Sequence, residues 1–364
     1  MVDARFITPA MSVALDAVRF SCALIVVICH SLSPPLFAAG PWPLNVQMAH
    51  HSVVVFFVLS GLVISATAVR RHGTLADFVI ARFSRITLVA YPSIVFSLAA
   101  YLWFRSASGP LPQELVSSLA SSVVSGVLFL SESPSGTPMF VNSTFWSLCY
   151  EVWYYVLFGL FFYLRGLMRW VCVSIAAVIA GPAILIMMPV WLAGVWLNHS
   201  KWARSVPAEK SVIILIGCAA GMLALIHVDF ALLFWLRGLV PFSLGMSEWI
   251  LSDLILSVIV VAALAALRPL AERHGDFLEK ISSPVTYAAG FSFTLYLFHP
   301  YLLKIIAESG FSAGTNPIAY ALIIAVVLAV SAGIAALTEQ RTPVFRRWLT
   351  RLFTSSDARP SLAR

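Results

Sequence analysis

The chain has 364 residues, of which 60% are hydrophobic and 11% charged, with a mean hydropathy of +0.92 and a formal net charge of +7. Soluble domains carry about 25% charged residues, so this composition excludes a water-soluble protein and puts the chain in a bilayer. Its apolar runs are continuous instead of alternating, which excludes a β-barrel and predicts an all-α, polytopic integral membrane helical bundle.

In chain order, spans are predicted at about 13–32, 52–69, 86–104, 146–164, 171–188, 211–228, 249–267, 288–305 and 317–338. The apolar pieces 115–130, 189–199 and 229–247 are harder to place. Asp16 and Arg19 interrupt the first apolar segment and no cleavage site follows, so it reads as a retained span and not a signal peptide.

Basic residues recur between the spans: Arg70, Arg71, Arg82 and Arg85; Arg165 and Arg169; Arg268, Arg273 and Lys280; and Arg341, Arg346, Arg347, Arg351, Arg359 and Arg364. The positive-inside rule assigns these groups to the cytoplasm, and the +7 charge then implies no nucleic-acid partner. Both termini are expected in the cytoplasm, with about ten transmembrane helices. Two arrangements give ten. In one, 189–199 completes a crossing and 229–247 is re-entrant. In the other, 171–199 is one long helix and 229–247 spans. A single transmembrane domain over 1–340 and a basic cytoplasmic tail over 341–364 follow. The five cysteines lie in apolar segments without metal or redox spacing and read as buried hydrophobes; no metal site is expected.

Ionisable residues inside spans are costly and mark functional sites. The first span, VALDAVRFSCALIVVICHSL, holds Arg19 and His30. Eleven residues are close to three turns, so the two share one face about 16 Å apart. Glu151, in STFWSLCYEVWYYVLF, and His299, in FTLYLFHPYLLK, are placed by the same topology at the depth of His30. An imidazole near a carboxylate can serve as a general base. Arg82 and Arg85, three residues apart at the start of the third span, suit phosphate binding near a helix N-terminus. Asp16 is expected to pair with Arg19. His50 and His51 read as loop residues. Trp146, Tyr150, Trp153, Tyr154 and Tyr155 read as an interfacial aromatic belt. Ser60 beside Gly61, and Gly217 with Gly221, read as helix-packing positions. Asn142-Ser143-Thr144 fits a glycosylation sequon, a pattern common by chance.

Taken together, five segments resemble the membrane-bound acyltransferase-3 family. LDAVRFSCALIVVICH resembles its first-helix Arg, ten residues, His signature. VVVFFVLSGLVIS is similar to its FFVLSGFLI element, and ARFSRITLVAYP to its Arg-x-x-Arg element. STFWSLCYEVWYYVLF resembles its W-S-L-x-x-E pattern, and FSFTLYLFHPYLL its Y-L-x-H element. Glu339 and Pro343 fit its closing Glu-x-Pro loosely. The matches run in order from 15 to 343, while 170–280 carries little of the resemblance.

The resemblance implies transfer of an acyl group, commonly acetyl, from cytoplasmic acyl-CoA (acetyl-CoA) to a hydroxyl of an extracytoplasmic carbohydrate or glycolipid acceptor. It places such a protein in a bacterial inner membrane. His30 would deprotonate the acceptor, Arg19 would pair with the thioester carbonyl or anionic groups, and Glu151 would orient His30. His299 would position the acceptor or relay protons, and Arg82 and Arg85 would hold the donor. Ser60 is the candidate for a covalent intermediate. A transporter for a glycan or small solute, using the same intramembrane residues, is the competing reading.

Overall fold

A computed structural model describes residues 5–37, 44–71, 73–106, 109, 111–240 and 243–354. The described residues form helices joined by turns, with no strand among them. Among the described residues, eight helices are long and apolar enough to cross a membrane. The side chains of Arg70 and Arg71, together with Arg359 and Arg364, lie outside what is described.

Helix α1 (Pro9–Ser31) starts on Thr8, whose Oγ1 accepts the Met11 N–H at 3.2 Å, with Pro9 preset for the first turn. It runs from an end marked by Arg19 to an end marked by His30. Helix α2 (Val46–Arg71) returns, and α3 (Leu75–Ser106) crosses again. Thr74 and Asp77 cap α3 reciprocally. The third span therefore begins eleven residues earlier than the apolar run predicts, and Arg82 and Arg85 sit two to three turns inside the helix. They are not at its N-terminus, so dipole-assisted anion binding there does not apply.

Helix α4 (Gln113–Val127) is short and leads through a looped segment at the His30 end into α5 (Phe145–Tyr163). Helix α6 (Gly166–Ala180) runs back to Gly181, whose φ of 84° turns the chain into α7 (Pro182–His199) against the Pro134 ring. Thus 171–199 is two antiparallel helices, and α7 completes a crossing. Helix α7 lies parallel to α2: Ser65 meets His199 and Ser60 meets Trp191. The backbones touch where a Cβ on Gly61 would stand 2.1 Å from the Trp191 carbonyl oxygen and one on Gly194 1.9 Å from that of Val58. Close backbone approach through small residues is a common device of membrane helix packing. Gly217, expected to serve that purpose, faces open space, and Gly221 only meets Ile259.

After the short α8 (Lys201–Arg204), α9 (Ala208–Leu239) is one unbroken 32-residue helix. Residues 229–239 therefore extend a span and are not re-entrant. Helix α10 (Ile250–Arg273) packs along α9. Helix α11 (Gly275–Ala289) is amphipathic and lies beside α1, and α12 (Ser292–Glu308) continues to the His30 end. Helix α13 (Pro317–Leu337) returns. Among the described residues, the shorter helices α6 and α12 run between the same two ends as the eight long ones. Residues 342–354 of the basic tail form a further helix, α14 (Thr342–Thr354), packed on α3.

Candidate active site

Helix α1 turns Arg19 and His30 inward on one face, as the eleven-residue spacing predicts. Arg19 donates to the Ala289 carbonyl at 3.0 Å and pairs with Asp16 at 3.3 Å. Three turns on, His30 meets His299 of α12, with His30 Nδ1 and His299 Nε2 2.9 Å apart. Neither side chain is aimed at lipid.

The tautomers follow from the chain of bonds. His299 Nδ1 lies 3.1 Å from the Leu295 carbonyl oxygen, which can only accept, so His299 Nδ1 carries the proton. In a neutral ring Nε2 is then an acceptor, and His30 Nδ1–H donates to it. The lone pair of His30 is thereby placed on Nε2. His299 is fully buried, whereas His30 is half-buried and lines a cavity with Ser33, Asn45, Ser143, Lys304 and Glu308.

A second cavity, of about 280 Å³, opens at the Arg19 end between α1, α2, α3, α5 and α12. Arg19, Arg82 and Arg85 line it together with Asp16 and Glu151. Most of its remaining wall is apolar, from Val53, Phe56, Phe57 and Leu59 among others. Arg82 lies 6.0 Å from the Tyr155 ring centroid and 5.9 Å from that of Phe78. The buried Nε atoms of Arg19 and Arg82 have no hydrogen-bond partner. No described carboxylate lies within ion-pair distance of Arg82 or Arg85. Guanidinium groups with free N–H donors in a partly apolar pocket have the chemistry to hold an anionic ligand with an apolar arm.

Glu151 belongs to this cavity and not to the histidines. Its Oε1 accepts the Tyr155 hydroxyl one turn along α5, and no described bond joins it to His30 or His299. The expected orientation of His30 by Glu151 is corrected accordingly: the partner of His30 is His299. Ser147 of α5 meets Tyr296, three residues nearer the arginine end of α12 than His299, and Glu151 lies a further turn along α5. Ser60 lines the same cavity, bonded to Tyr155 at 3.1 Å and accepting from Trp191 at 3.2 Å. That fixes it at the α2–α7 contact, in keeping with a packing role. Tyr296 separates the cavities: it lines the arginine side, bonds Ser147, and its ring lies 6.2 Å from that of His299.

Other sequence readings change. Tyr150, Tyr154 and Tyr155 are buried core residues and not a belt; Tyr150 bonds Ser247 and Tyr154 donates to Ile184 O. His50 and His51 lie in the first turns of α2, buried, and pair with Asp253 at 2.9 Å and Asp229 at 2.8 Å. Those aspartates sit in long apolar helices and carry no local signal beyond being acids inside a span. Asn142 is buried, donating to Ser97 and to Leu297 O, which excludes it as a glycan acceptor. Glu339 accepts from the N–H and hydroxyl of Thr294, tying the end of α13 to the start of α12.

A helical membrane protein with an imidazole pair and an arginine-lined pocket in one bundle has the parts of a membrane-embedded group-transfer enzyme. The family model of the acyltransferase-3 acyltransferase domain matches residues 12–336, and the chain belongs to that family. It is 26% identical over 335 residues to the exopolysaccharide production protein ExoZ of Rhizobium meliloti (strain 1021), covering 86% of this chain and 96% of that protein. No solved structure matches the chain.

Proposed function

We propose that this acyltransferase moves an acyl group, acetyl by preference, from cytoplasmic acyl-CoA to a hydroxyl of an extracytoplasmic carbohydrate. One observation carries the reading: a single face of α1 presents Arg19 to one cavity and His30 to another, about 16 Å apart. The Arg19 end holds the connections rich in Lys and Arg, which supports placing it in the cytoplasm, where acyl-CoA is found. The inner membrane of a bacterium, with both termini inside, fits that sidedness.

In this reading Arg82 and Arg85 bind donor phosphates, and the apolar wall holds the pantetheine arm, with Arg19 beneath the thioester. Glu151 balances the arginine charge. His30 Nε2 removes the acceptor proton as the hydroxyl oxygen attacks the thioester carbonyl. The His299 acceptor fixes that tautomer and stabilises the imidazolium. The tetrahedral adduct then expels the CoA thiolate, which takes up the proton, leaving the ester. ExoZ, by its name, acts in exopolysaccharide production, which supports a polysaccharide acceptor.

The test supplies radiolabelled acetyl-CoA and the cell's surface polysaccharide to membranes bearing the wild type or His30→Ala. Label is expected to reach polysaccharide only with the wild type. Equal labelling with His30→Ala overturns the reading.

A further inference from the structure

The cavity that holds His30 also holds Lys304, its single Lys or Arg among the described residues. The Lys304 ammonium stands 5.2 Å from the Phe104 ring centroid and 5.8 Å from that of Tyr301. Glu308, one turn further on, lines the same wall, yet no described carboxylate is within ion-pair distance of Lys304. Both rings are within cation–π distance of the ammonium of this exposed lysine, and its N–H donors have no described hydrogen-bond partner. Arg237, by contrast, is already paired with Glu248.

Lys304 follows His299 by five residues, so it lies about 7.5 Å further along α12. Lys304 and His30 line one cavity, so a bound saccharide can place a hydroxyl at His30 and a charged substituent at Lys304. Ser33, Asn45 and Ser143 offer hydrogen-bonding groups to a sugar between them. We propose that Lys304 selects an anionic acceptor, a glycan bearing a carboxylate or phosphate on the sugar that is acylated or on its neighbour. This deepens the proposed function, on which the identity of the bound molecule as acceptor rests.

The experiment measures binding to full-length protein in nanodiscs without donor, then transfer from acetyl-CoA. The probes are a glucuronic-acid-containing oligosaccharide, its carboxyl-reduced counterpart and a phosphosugar-containing oligosaccharide. At least one anionic probe is expected to bind about tenfold tighter than the neutral one, and which of the two does so names the anion. Lys304→Gln should abolish that preference, Lys304→Arg should keep it, and added salt should weaken it. In transfer, Lys304→Gln should raise KM for the anionic acceptor with kcat unchanged. Equal affinity for anionic and neutral probes, or an undiminished preference in Lys304→Gln, overturns the proposal. Failure of the acyl-transfer reading is separate, because it shows as transfer that survives His30→Ala whatever the binding preference.

Discussion

At the scale of single residues, the proposed chemistry rests on the His30–His299 pair. If His299 fixes the tautomer of His30, the acceptor atom matters more than the ring. His299→Gln can place an amide oxygen where Nε2 stood, whereas His299→Leu leaves His30 Nδ1–H without a partner. His30→Ala should lower kcat by about 10²- to 10⁴-fold, the usual contribution of a general base. His299→Leu should cost about 10²-fold, with His299→Gln recovering a measurable part, read as initial acyl-transfer rates at saturating donor. The eleven-residue spacing of Arg19 and His30 made this face legible before any coordinates. Glu151 was legible as an intramembrane acid but not as a neighbour of the arginines, because an apolar run does not fix which turn of α5 meets which turn of α12.

Glu132, in the loop between α4 and α5, has no side-chain hydrogen bond among the described residues, and burial pushes its carboxyl up to about 7. An acid raised in the folded state binds its proton more tightly there than in the unfolded chain. Its penalty is therefore absent below the unfolded value near 4.5, grows as pH rises to about 7, and is constant above that. Glu132→Gln should stabilise the protein at pH 8 by on the order of 2 kcal/mol and leave it unchanged at pH 4. Thermal unfolding in detergent across that range checks both ends.

At the scale of helices, apolar length placed most spans, and the misplacements have specific causes. Helix α3 starts early because Thr74 and Asp77 cap it, a signal hydropathy does not register. Gly181 was hidden inside an apolar stretch that reads equally well as one long helix. Gly61 and the Gly217–Gly221 pair read alike as packing positions, and only a partner backbone distinguishes them: Gly61 meets α7, whereas Gly217 faces open space. Gly61→Ala is expected to force α2 from α7 at a cost of about 3 kcal/mol or more, with loss of folded protein on size-exclusion chromatography. Gly217→Ala should be silent in the same assay.

The paired histidines of α2 give a sharper expectation. Removing Asp253 alone leaves His50 buried between Trp146 and Trp249 without its acceptor. Breaking one side of a buried pair costs about 3–5 kcal/mol, whereas replacing both partners by apolar groups is often neutral. The double variant His50→Leu/Asp253→Leu should therefore melt above Asp253→Ala.

For the whole molecule, the two cavities share no lining residue. The ring of Tyr296 and the buried His299 stand between them. On the proposed function, a bundle built this way keeps a charged donor from a polar acceptor except at the histidine pair. It also makes sidedness a property of the reaction. In proteoliposomes with the Arg19 end facing outward, external acetyl-CoA should acetylate an acceptor enclosed in the lumen. Reversing the two compartments should give no product. Orientation can be fixed independently by labelling a cysteine placed at Arg351 on α14, which should share the donor's side, and one at Glu308 on α12, which should share the acceptor's. Product formed equally from either side would mean that donor and acceptor enter through one mouth, and the wall at Tyr296 would then have no part in keeping them apart.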